Sequence, residues 1–113
     1  MAQIVSLSEL PRSGNTYTFE GCRHGNVGLS FLLDETPPSG GPRLHRHPYE
    51  EVFVIQAGRA VFTAGDETLE ASGGQIVIVP PDTPHRFVNV GESPLRLIAI
   101  RPSGRMITEW LEG

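Results

Sequence analysis

The sequence predicts an all-β fold, and three observations carry that expectation. Thirteen glycines and ten prolines in 113 residues imply many turns and little room for long helices. Short apolar runs recur about every ten residues with turn signals between them, the pattern of an antiparallel sandwich or barrel. Several of these runs alternate apolar with polar side chains, as half-buried strands do. A chain of this length, with 38% apolar and 19% charged residues, makes one soluble domain with its own core.

In order, residues 1–14 form an N-terminal arm. Its apolar Ile4, Val5, Leu7 and Leu10 fit a short strand and a helical turn equally well, and Pro11 ends it. Asn15 to Gly21, NTYTFEG, sets Tyr17 and Phe19 among polar neighbours and reads as a strand, and Val27 to Asp34, VGLSFLLD, reads as the next. Glu35 to Pro42, ETPPSGGP, is too rich in breakers for regular structure. It delivers the chain to Arg43 to Gly58, RLHRHPYEEVFVIQAG, read as one extended run. There Phe53 and Ile55 share the parity of Glu51, while Val52 and Val54 face the other way. A strand apolar on both faces is expected to be covered on both, by a second sheet or a partner subunit.

After Gly58, RAVFTAGDETLEAS predicts a hairpin about Gly65-Asp66. The β-branched run QIVIV must stop at Pro80-Pro81, because two prolines remove two ladder donors in succession. His85, Phe87 and Asn89 then alternate inward, and Leu95 to Ile100 is the last core strand. In the tail, residues 103–113, Ile107, Trp110 and Leu111 lie at helical spacing. They predict a short C-terminal helical turn that must dock on the barrel or on another subunit, with Trp110 in a packing role.

The chemistry concentrates in two stretches. His45, His47 and Glu51 lie at offsets of two and four residues, so on an extended backbone all three point to one face. Imidazole nitrogen and carboxylate oxygen are ligands for divalent transition metals. The second stretch, Gly74 to Asn89, GQIVIVPPDTPHRFVN, delivers His85 from a separate strand as a fourth donor. Together they resemble the cupin family, whose two motifs read G(X)5HXH(X)3-4E(X)6G and G(X)5PXG(X)2H(X)3N. His45, His47, Glu51 and Gly58 match the first; Gly74, Pro80, His85 and Asn89 match the second. There are two departures. Ser39 replaces the first motif's leading glycine, with Gly40 and Gly41 following to serve the turn, and Asp82 replaces the second motif's glycine. Aspartate tolerates the left-handed conformation such a turn needs.

The resemblance covers about residues 25 to 102. It implies a small double-stranded antiparallel β-barrel, a jelly roll with the site inside, and a divalent metal held by His45, His47, Glu51 and His85. Iron or manganese comes first in that expectation, then zinc, nickel, copper or cobalt. It also implies a homodimer, to which the apolar outer face at Val52 and Val54, the arm and the tail would contribute.

Other features narrow the function. A net charge of -4 with no basic stripe argues against nucleic acid as a partner. The lone Cys22 forms no internal disulfide, and neither a signal peptide nor an apolar span is recognisable, so a cytoplasmic protein without membrane attachment is expected. No Ser/His/Asp set or P-loop is present, and the adjacent Glu50 and Glu51 point apart.

For a small-molecule substrate, Arg43 shares the parity of His45 and could bind an anionic group. Tyr49, Phe53, Phe87 and Phe31 are candidates for an apolar wall. No residue is assigned a catalytic role. Two readings follow: a metalloenzyme on a small organic molecule, as an O2-dependent dioxygenase or a Lewis-acid isomerase or lyase, and a non-catalytic metal-bound cupin that binds a small molecule.

Overall fold

The computed structural model describes residues 2–112. They form two antiparallel sheets packed face to face. The first holds β1 (Arg12–Ser13), β2 (Thr16–Phe19), β3 (Ser30–Thr36), β10 (Leu95–Arg101), β5 (Glu51–Ala57) and β8 (Ile76–Val79), in that spatial order. The second runs β11 (Glu109–Trp110), β4 (His45–Arg46), β9 (His85–Asn89), β6 (Arg59–Ala64) and β7 (Glu67–Ser72). The all-β jelly roll is therefore as expected.

Between the sheets, alternate residues meet. Glu51, Phe53 and Ile55 are buried along β5 while Val52 and Val54 are not, and Phe53, Phe62, Phe87, Val79, Leu95 and Leu97 make the centre of the core. The hairpin of β6 and β7 closes at Gly65-Asp66 with Ala64 opposite Glu67, and Gly65 takes a φ of +57° that glycine adopts without strain. Strand β8 ends before Pro80, as its missing donor requires.

Four expectations are corrected. Arg43 to Gly58 is not one strand: β4 lies in the five-stranded sheet and β5 in the six-stranded one. Pro48 between them has no N–H to continue a ladder, and the chain crosses there from one sheet to the other. The C-terminal tail is not helical at Ile107, Trp110 and Leu111. It is extended, and β11 pairs Glu109 with Arg46 and Trp110 with His45. So short a helix has no stability of its own, whereas the open edge of β4 offers backbone partners; Leu111 N–H also reaches Leu44 O at 3.0 Å.

At the first motif's leading position it is Ser39 itself, not Gly40 or Gly41, that takes the left-handed turn, at φ +69°. Its N–H is held by Asn89 O at 2.9 Å. Gly41 serves another purpose, since a Cβ there would stand 1.9 Å from Phe87 O. Asp82 adopts φ +59° as the departure from the second motif requires. The strand expected over Val27 to Asp34 starts later, at Ser30, because the Val27 N–H is tied back to Gly21 O, at the start of the 3-10 turn Gly21–Arg23. The arm, left open between strand and turn, forms a 3-10 turn at Leu7–Glu9 and the short strand β1.

The outer face of the six-stranded sheet is apolar. Leu33, Ile98, Val54 and Ile76 stand side by side across four strands, and Phe31, Ile100, Val52 and Ile78 form the neighbouring row on the same face. Ile76 and Ile78 are 61% and 67% exposed, so at β8 this face is left open by the described residues, while the other members of the two rows are half-buried. No helix among the described residues is long and apolar enough to cross a membrane.

Candidate metal centre

The four donors read from the sequence come together. One ligand atom each of His45, His47, Glu51 and His85 lies within 4.8 Å of the others, and all four residues are buried. Two structural devices bring them there. Strands β4 and β9 pair so that His45 faces His85 directly. The crossover at Pro48 then carries His47 and Glu51 from one sheet to the other, so that they close the cluster from both sides of the barrel.

Each imidazole is oriented by a backbone carbonyl. His45 Nδ1 contacts Arg43 O at 2.7 Å, His47 Nδ1 contacts Ile107 O at 2.8 Å, and His85 Nδ1 contacts Thr83 O at 2.8 Å. A carbonyl oxygen only accepts, so each Nδ1 carries a proton, and in the neutral form of each ring the Nε2 lone pair is turned toward the cluster. Supporting bonds of this kind fix the tautomer of metal-binding histidines.

Those lone pairs face a carboxylate. His85 Nε2 is 2.9 Å and His47 Nε2 3.2 Å from Glu51 Oε1, and His47 Nε2 is the buried side-chain polar atom left without a hydrogen-bond partner among the described residues. Acceptors crowded on acceptors repel unless a cation or proton stands between them. The donor set, three neutral imidazoles and one carboxylate, thus fits a divalent transition metal.

The charges agree. Burial, partly offset by the Arg43 carbonyl contact, lowers the His45 pKa from 6.5 to about 4, so this ring stays neutral and ready to ligate. Burial alone would raise the Glu51 carboxyl, but contacts with His47, His85 and Arg101 outweigh it and hold Glu51 well below the usual range. For the two histidines this requires a proton or a cation between Nε2 and the carboxylate, because bare lone pairs would act the other way.

Above the cluster lies a cavity of about 200 Å³, bordered by His45, Phe53, Phe87, Arg101, Asp34 and Trp110 among others. Phe53 and Phe87 wall it as expected. Tyr49 does not: its ring stacks on His47 at 5.4 Å and its hydroxyl donates to Ile107 O at 3.2 Å. It therefore braces a ligand from behind. Arg43 is exposed, with its guanidinium 4.9 Å over the Trp110 ring, outside the cavity. Phe31 faces outward and stacks on Phe19, because it sits one residue out of phase with the inward Leu32 and Asp34 of β3.

Three contributors escaped sequence reasoning. Arg101 donates from Nε to Glu51 Oε2 at 2.7 Å; its place at the inward end of a recognised strand was a usable signal. Asp34 borders the cavity and accepts from the Thr16 and Thr36 hydroxyls at 3.1 and 2.7 Å, while burial raises its pKa. Trp110, 52% exposed, docks on the barrel as expected, but at the site, with its ring 5.1 Å from His45. Nothing in the local pattern pointed to it, since its position depends on β11 pairing with β4.

Comparison with known proteins agrees with this architecture. The cupin domain model matches residues 32–101, and the chain belongs to the cupin family. It is 36% identical over 96 residues to an uncharacterized protein of Methanocaldococcus jannaschii, covering 79% of this chain and 77% of that one. It is 38% identical over 81 residues to the polyketide synthase CurC of Streptomyces cyaneus, covering 69% of this chain and 49% of CurC.

Among solved structures, an oxalate decarboxylase of Bacillus subtilis studied for its Mn(II) centres superposes with a TM-score of 0.83 at 22% identity, over 93% of this chain and 31% of that one. The chain thus spans about a third of that enzyme, and the likeness is one of fold.

Proposed function

We propose that this cupin is a metal-dependent enzyme acting on a small organic molecule through a carbonyl, enol or enolate group, as a dioxygenase or as an isomerase or lyase. The observation that carries the proposal is the buried, unpartnered Nε2 of His47 beside three further donors whose remaining polar atoms are already occupied. A protein without a use for an ion gains nothing from such an arrangement, because each unsatisfied buried polar atom costs about 1–3 kcal/mol.

His45, His47, Glu51 and His85 would hold the ion, which when bound supplies Lewis acidity toward a carbonyl oxygen and, for iron or manganese, redox chemistry. The chain does the rest. The carbonyls of Arg43, Thr83 and Ile107 orient the imidazoles, Arg101 pins the far oxygen of Glu51, and Phe53 and Phe87 keep water from the floor of the cavity. Iron or manganese is the favoured ion, in line with the Mn(II) centres of the structurally similar oxalate decarboxylase. The likeness to the polyketide synthase CurC supports a substrate rich in carbonyl and enol groups.

Elemental analysis of protein purified without chelators tests the metal, and oxygen consumption with catechols, β-diketones, thiols and flavonols tests the reaction. Stoichiometric iron or manganese with turnover is expected. Bound zinc without oxygen uptake would favour the isomerase or lyase, bound metal without turnover on any substrate would favour the non-catalytic binding cupin, and protein that takes up no metal would overturn the assignment. A cytoplasmic setting belongs to the same proposal.

The same reading includes a homodimer. The two apolar rows on the outer face of the six-stranded sheet are the surface proposed to meet, with a second copy applied face to face about a two-fold axis. Light scattering should report a dimer, and Ile78→Lys should shift it to monomer; a monomeric wild-type protein would remove the proposal.

A further inference from the structure

Arg101 has more binding capacity than the chain uses. A guanidinium offers five N–H donors in a planar fork. Here only Nε is engaged, with Glu51 Oε2 at 2.7 Å. Among the described residues neither Nη1 nor Nη2 has a partner. Neither is sealed in packing, because the one fully buried side-chain polar atom without a partner there is His47 Nε2. Arg101 is nonetheless 7% exposed overall and borders the cavity. The two free ends of its fork are therefore not fully buried, on a residue that borders the cavity and is otherwise almost enclosed.

The charge balance of the cavity asks for an anion. The Glu51 carboxylate and the Arg101 guanidinium cancel, the three imidazoles are neutral as ligands, and a divalent ion then leaves a positive excess. Asp34 is the other acidic group bordering the cavity, and burial shifts it toward its protonated form. The remaining lining includes Leu32, Phe53, Phe87 and Ala99, which cannot neutralise charge but can hold an apolar body.

We propose that Arg101 anchors the substrate: its Nη1 and Nη2 bind the carboxylate or enolate end of a small organic acid whose apolar body lies against Phe53, Phe87 and Trp110. A planar two-oxygen anion matches the guanidinium fork, and a cavity of about 200 Å³ limits the ligand to something near the size of an aromatic acid. This deepens the proposed function and rests on it for the neighbouring reaction centre. The anion expected from sequence parity to meet Arg43 meets Arg101 instead.

Trp110 is the single tryptophan of the chain and borders the cavity, so its fluorescence reports binding there. Benzoate and its neutral isostere benzamide are titrated into the full-length protein, both stripped of metal and loaded with Mn(II). In both forms benzoate should bind about tenfold more tightly than benzamide, the expected effect of one charge-assisted pair. Arg101→Gln should erase that preference, and Arg101→Lys should keep only part of it.

Equal binding of the two probes to the wild type, binding of neither, or an undiminished preference in Arg101→Gln overturns the proposal. If Arg101→Gln does not fold, Arg101→Lys decides: a reduced preference for benzoate over benzamide supports the anchor, and an undiminished preference refutes it. Failure of the metal assignment is read separately, as no Mn(II) taken up by the wild type, and leaves the benzoate preference of the stripped protein in place.

Discussion

Strand β9 carries a buried polar side chain at each end, and the two are treated in opposite ways. At one end Asn89 is fully satisfied. Its Nδ2 donates to Thr36 O at 3.0 Å and Ser93 O at 2.9 Å, and its Oδ1 accepts from Gly91 N–H at 2.9 Å. At the other end His85 joins a cluster in which its Nε2 and that of His47 converge on one oxygen of Glu51, at 2.9 and 3.2 Å, and His47 Nε2 makes no hydrogen bond. Both residues belong to the same sequence motif and are equally buried. The difference shows that burial of a polar group does not by itself mark function. What separates the two ends is whether the chain uses up the group's hydrogen-bonding capacity: where it does, the residue ties loops together, and where it does not, the residue waits for something from outside.

Three experiments press on that contrast. The largest effect is expected from His47→Ala, which should lower metal affinity by more than about a hundredfold, since losing a supporting contact alone typically costs ten- to a hundredfold. The barrel should stay folded, because the core around Phe53, Phe62 and Leu97 does not depend on this ring. Full metal occupancy in the variant, measured by elemental analysis, would count against the site.

Asn89→Ala should do the converse. It strands the carbonyls of Thr36 and Ser93 and the Gly91 N–H, and should cost roughly 2–3 kcal/mol of stability in a denaturant titration. Metal stoichiometry should be unchanged, and a variant that folds normally but loses its metal would erase the distinction between the two ends.

The smallest effect concerns pH. Burial holds His45 near 4 in the fold against 6.5 when free, so between those values the unfolded chain binds the extra proton and the folded chain does not. Stability from this group is therefore complete above about pH 6.5 and is lost as pH falls toward 4. Thermal melts of the metal-free protein should be level above about pH 7 and decline below. Metal release should likewise come at lower pH than the value near 6 that an ordinary imidazole implies. A melting temperature independent of pH from 7 to about 4 would show that His45 is not held neutral.

Much of the architecture was legible in the residues themselves. The alternation along Glu51 to Ile55, the stop at Pro80-Pro81 and the Gly65-Asp66 turn are local properties, set by side-chain period and by what proline and glycine permit. The four donors were likewise readable, because spacing along strands carries their common facing. Glycines such as Gly58, at φ +96°, marked the turns that frame them.

The tertiary structure decided everything that depends on pairing between distant segments. The alternation of His45, His47 and Glu51 was read as one strand, yet it takes a crossover at Pro48 to make them converge. The tail's helical spacing yields to the open edge of β4, which brings Trp110 over His45 and the Ile107 carbonyl behind His47. Arg101 becomes part of the site only because β10 lies beside β5 and sets its guanidinium on Glu51, fifty residues away in sequence. The physical reason is the same in each case. Local sequence determines which backbone shapes a segment can adopt, whereas hydrogen-bond satisfaction and charge balance in a buried site are sums over groups that meet only once the sheets have closed.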